Sequence, residues 1–101
     1  MKSNNEPITK VIFRKWPRKT GGDVIALFPA IAGTYDLWTC SSYQHIGQHG
    51  AATVMLSRCT KPAKPSEYAD LKEELERIGY RLKVVKRFTR ADLEARREQV
   101  K

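Results

Sequence analysis

Four residues near the middle of the chain are of types that could do chemistry: Cys40, His45, His49 and Cys59. Two thiolates and two imidazoles are a donor set that tetrahedral zinc accepts. Their spacing argues against it: four, three and nine residues intervene, where zinc modules place one close pair on each side. His45 and His49 would converge if residues 45–49 were helical, but Gly47 and Gly50 disfavour a helix there. No metal or other cofactor is therefore expected. As general acid and base the two histidines could flank a phosphodiester in metal-free nuclease chemistry. No nucleophile stands beside them in a recognisable pattern, so no catalytic residue is assigned. A further reading of the stretch SYQHIGQHG is recognition. Tyr43, Gln44, His45, Gln48 and His49 offer aromatic, amide and imidazole groups on a glycine-bearing connection between strands. A structural bend explains the same residues, and a recognition loop or a bend is favoured over a reactive centre.

The elements that must position this stretch are legible from pattern. Residues 1–7 are polar and expected to be loose, ahead of an 8–88 core and an 89–101 helix or tail, the whole a single domain of 101 residues. ITKVIFRKW (8–16) is rich in β-branched and aromatic residues and predicts a strand. Pro17 and Gly21-Gly22 predict a reversal. DVIALFP (23–29) is apolar on both faces, which predicts a central strand, and 37–44 and 52–59 predict two more. KPAKP (61–65) is a stiff connector. Ser66 is the expected N-cap of a helix whose stripe is Tyr68, Leu71, Leu75 and Ile78, closed by Gly79. Residues 81–88 predict a fifth strand, and Thr89 the cap of a last helix too weakly amphipathic to stand without a partner. The order β-β-β-β-α-β-α predicts an α+β fold: a mostly antiparallel sheet of four or five strands with one main helix on one face and a marginal C-terminal helix.

Net charge is +8, with 19 Lys and Arg against 11 Asp and Glu, and it is unevenly placed. Residues 10–19 and 81–90 each hold five cations and no acid, while 66–78 is acidic. Strand alternation puts Lys10, Arg14 and Trp16 on one face of the first strand, and Arg81, Lys83 and Arg87 on one face of the last. If the main helix covers Val11, Phe13, Leu82 and Val84, the open face displays cations and Trp16. Single-stranded nucleic acid is held by that combination, although a wet sheet face carries charge in any protein. No apolar run is long enough to span a membrane, and MKSNNEPITK has no apolar h-region, so a cytoplasmic location with reduced cysteines is expected.

VIFRK (11–15), DVIALFP (23–29), SYQHIGQHG (42–50) and KPAKPSEYADLKEELERIGYRLKVVKR (61–87) resemble a group of small uncharacterised proteins encoded by bacteria, their phages and plasmids. The resemblance implies a bacterial cytosolic setting, that of a mobile element, and brings no activity or site residue with it. The expected function is a basic binding protein that associates with nucleic acid through Lys10, Arg14, Trp16, Arg81, Lys83 and Arg87. The alternative is an inhibitor or adaptor that binds an acidic protein partner, such as a host defence complex, with Trp38 or Tyr43 as anchor. A nuclease using His45 and His49 comes third.

Overall fold

The computed structural model describes residues 8–17, 23–44 and 48–100. The expected tail (1–7), the Gly21-Gly22 reversal and His45 lie outside these residues, as does the side chain of Gln48. The fold is α+β, with a mainly antiparallel sheet, one main helix and a short C-terminal helix. In chain order the elements are β1 (Thr9–Lys15), β2 (Val24–Ala32), β3 (Thr39–Gln44), β4 (Gln48–Thr53), a 3-10 turn (Val54–Arg58), β5 (Lys61–Pro62), α1 (Pro65–Ile78), β6 (Leu82–Val84) and α2 (Arg90–Gln99).

The sheet order is β4-β3-β2-β1, and two short strands share the second edge of β1. β5 pairs antiparallel with Arg14 and Lys15; β6 pairs parallel with Thr9–Val11. The acid-free stretches thus become neighbours, with Lys10 beside Lys83 on one face.

β2 dictates the layering. Its run is apolar on both sides, and water must be kept from both. Ala26 and Phe28 face α1 with Val11, Phe13, Tyr43, Leu71 and Leu75. Ile25 and Leu27 face the other way with Ile12, Cys40 and Leu56. The second cluster overturns the expectation of an open face. Val54 and Leu56 of the 3-10 turn, then Val85 and Phe88 after β6, fold across it, and α2 packs on β2.

Several local expectations shift for related reasons. The fourth strand is 48–53 and not 52–59: Thr53 caps a 3-10 turn by accepting from the Met55 N–H, and this bend carries Leu56 over the sheet. α1 starts two residues early, with Lys64 and not Ser66 as N-cap and Pro65 in the first turn, where its missing N–H costs nothing. Gly79 closes the helix at φ 127°, a backbone geometry that favours glycine. The last strand is only Leu82–Val84, and Val84 is partly exposed instead of lying under α1.

α2 is held by polar contacts. Pro29 has no N–H for the ladder, and the β2–β3 register slips between Phe28 and Ala32. Backbone groups left there without a strand partner are taken up by α2. Arg96 Nη1 donates to the Pro29 carbonyl at 2.6 Å, Gln99 Nε2 donates to the Ala30 carbonyl at 2.7 Å, and the Ala32 N–H donates to Gln99 Oε1 at 2.7 Å. Arg96 also reaches the Leu37 carbonyl through Nε and Nη2, tying the 33–38 loop to the helix. At the other end of α2, Asp92 is fully buried and accepts from Lys10 Nζ at 3.0 Å and from the Thr89 N–H at 2.9 Å.

Candidate functional site

The second sheet face is covered unevenly, and the cover leaves a cleft of about 770 Å³. Ile12 and Arg14 of β1 lie on one side, with Val54 of the 3-10 turn. The 86–90 connector, Leu93 and Arg96 of α2, and Trp38 at the end of the 33–38 loop complete the lining. The alternation of β1 aims Ile12 and Arg14 to this side. The β6–α2 connector must cross the sheet to bring Val85 and Phe88 onto the core, so its intervening cations, Lys86 and Arg87, stay on the outside.

Two of the cleft's cations are anchored by the fold. Arg14 donates through Nε to the Thr60 hydroxyl at 2.9 Å and through Nη2 to the Thr60 carbonyl, and burial lowers its pKa. Arg96 is held by the carbonyls described above, with its guanidinium 5.8 Å from the centre of the Phe88 ring. Three others point to water. Among the described residues Lys86 and Arg87 have no carboxylate within ion-pair distance, and Arg90 is only loosely paired with Glu94, at 3.9 Å. Trp38 is 65% exposed. An apolar, aromatic-walled cleft with a cationic margin can take up an amphipathic anion, one with a flat or apolar body and negative charge at its edge.

Of the six residues expected to bind nucleic acid, Arg14 and Arg87 line this cleft. Lys10 and Lys83 share its sheet face, but Lys10 is bound to Asp92. Arg81 is exposed just before β6. Trp16 is half buried against the second core cluster, so its ring is not the open stacking platform expected of it. Trp38, Phe88, Lys86, Arg90 and Leu93 were not among the expected nucleic-acid contacts. Comparison of the chain with protein-family models, curated proteins and solved structures finds no match. The cleft therefore rests on its own chemistry.

The histidine stretch is a different environment. Tyr43, expected in a recognition loop, is a core residue, 1% exposed, whose hydroxyl donates to Glu74. Gln44 ends β3 and Gln48 begins β4, paired with each other across the strands. His49 lies edge-on to Tyr43 with ring centres 4.6 Å apart, and its Nε2 is 3.1 Å from the Tyr80 hydroxyl. Cys40 belongs to the core on the other side of the sheet, where burial pushes its thiol up to about 11. Cys59 is exposed, and neither cysteine is in a disulfide. The suggested donor set is not gathered: Cys40 and His49 belong to opposite faces, and no group of three His, Cys, Asp or Glu converges among the described residues. No helix among the described residues is long and apolar enough to cross a membrane.

Proposed function

We propose that this protein binds single-stranded nucleic acid along the cationic margin of the cleft. The observation that carries the reading is the grouping of Lys86, Arg87 and Arg90 around an uncovered apolar surface that includes Trp38 and Phe88. Phosphates are met by exposed cations, and unstacked bases by aromatic or apolar walls. A duplex offers few base faces, so single strands are the better fit. Lys83, exposed beside Lys10 on the same sheet face, extends the positive surface towards β6. The reading places the protein in a bacterial cytoplasm, in keeping with its resemblance to phage- and plasmid-encoded proteins.

Fluorescence anisotropy with a labelled oligothymidylate tests this. Affinity is expected to fall with salt, each phosphate contact contributing a slope of about −0.7 in log K against log salt. Three to four contacts would give a slope near −2 to −3 (about −0.7 each). Affinity unchanged between low and moderate salt, or no binding at low salt, would contradict the proposal.

A second reading, a protein-binding inhibitor or adaptor, is favoured by one other feature. β4 is an edge strand with no pairing partner on its outer side among the described residues, and its segment QHGAAT carries no Lys, Arg, Asp or Glu. Such an edge can accept a strand from another chain. A complex that survives nuclease treatment and is lost when β4 carries a proline would favour it.

A further inference from the structure

We infer that the cleft is a pocket for one unpaired base, which lies against Trp38 and Phe88 while its flanking phosphates meet Arg87 and Arg90. This deepens the proposed function and rests on it: it names the part of the nucleic acid that enters the cleft.

Phosphate binding alone would need only the exposed cations and would leave the cleft without a role. The apolar wall is substantial. Phe88 of the connector, Leu93 of α2 and the largely exposed Trp38 of the loop all line it. A volume near 770 Å³ is in the range of pockets that enclose whole small molecules, ample for a nucleobase and its sugar. An acyl chain would match the apolar walls but not the charge. Its single carboxylate would meet three exposed cations, whereas a base within a strand brings a phosphate on each side.

The loop that carries Trp38 is also built for a fixed position. Arg96 holds the Leu37 carbonyl from the α2 side through two nitrogens. Asp36 accepts from the Trp38 N–H at 2.9 Å, and Thr34 and Thr39 hydroxyls bond each other across the loop at 2.8 Å. A tryptophan so exposed on so tied a loop contributes little to its own fold's core. A rigid, exposed aromatic loses little conformational entropy when a base stacks on it.

The test uses the full chain with Trp16→Phe, which leaves Trp38 as its one tryptophan. Trp38 emission is followed on adding unlabelled oligothymidylate or an abasic deoxyribose-phosphate oligomer of equal length. Oligothymidylate is expected to quench Trp38, and the abasic oligomer to bind about 10-fold more weakly without quenching. In anisotropy, Trp38→Ala is expected to weaken oligothymidylate about 10-fold and leave the abasic oligomer unaffected, with Trp38→Phe restoring most of the loss. Circular dichroism checks that each variant is folded. Equal affinity for both polymers with unchanged Trp38 emission would overturn the base pocket and leave backbone binding standing. Binding of neither polymer would overturn both.

Discussion

Replacing Arg96 with alanine is expected to lower the unfolding free energy by about 3–5 kcal/mol, the largest effect of any single polar substitution in the chain. The residue is 4% exposed, and its guanidinium donates to two main-chain carbonyls, those of Pro29 and Leu37. A buried carbonyl stripped of its donor costs about 1–3 kcal/mol, and alanine strips two while leaving a void beside Phe88. Arg96→Lys keeps the charge but cannot fork to both carbonyls, so it is expected to recover less than half of the loss. Arg97, the exposed neighbour, is the control: Arg97→Ala is expected to stay within about 0.5 kcal/mol of the parent. Urea denaturation of the three variants measures these differences. A cost below about 1 kcal/mol for Arg96→Ala would mean that α2 is not held as described. The same docking carries a pH signature. Burial by itself raises the pKa of Asp92, but hydrogen bonds from Lys10 and Thr89 outweigh it and hold the carboxyl below its ordinary value of 3.8. Its contribution is therefore complete above that value and is lost as pH falls through the lower folded pKa. Asp92→Asn is expected to remove that part of the acid destabilisation below about pH 4.

The double substitution Arg87→Ala with Arg90→Ala is expected to weaken oligothymidylate binding ~30-fold at low salt and to flatten the salt slope by about 1.4. Both side chains are exposed, and the one described ion pair between them and the rest of the protein is the 3.9 Å contact of Arg90 with Glu94. Exposed pairs of that kind add little to stability, so the fold is expected to survive. The control is Lys72→Ala with Arg77→Ala. These remove the same charge from α1, on the opposite face of the sheet, and pair there with Glu76 and Glu73. If net charge alone governed binding, both doubles would act alike. If the cleft is the site, the α1 double changes affinity less than about 2-fold at the same salt, because screening limits the reach of a distant charge.

Most of the fold was open to pattern reading because hydrophobic burial makes it periodic. β1 and β2 alternate or saturate as strands do, and Leu71 and Leu75 mark the buried side of α1. Gly79 and Thr89 mark its end and the start of α2. The second covered face was harder, although β2 contained the clue: a strand apolar on both sides needs two covers. Only one helix had an apolar stripe, so one face was assigned to water. α2 escaped this reading because it docks through Asp92, Arg96 and Gln99, which hydropathy places in solvent. Arg96 and Gln99 meet main-chain groups around Pro29 and at Leu37, a feature of backbone pairing that no side-chain pattern records, and Asp92 meets the distant Lys10. The cleft was missed for the same reason. Its walls come from a loop, a turn, a connector and a helix that meet only once that second cover is in place. Trp16 and Trp38 look alike in sequence, and only the packing of residues around Ile25 and Leu27 separates the half-buried ring from the exposed one.

The most direct measurement is photo-crosslinking of the unmodified protein to an oligothymidylate carrying one 4-thiothymidine, followed by mass spectrometry of the adduct peptides. The account predicts adducts at Trp38 and within residues 86–93, reduced when unlabelled oligothymidylate competes. Adducts confined to β4 or α1, formed with the same affinity and competition, would show that nucleic acid is bound somewhere other than the cleft.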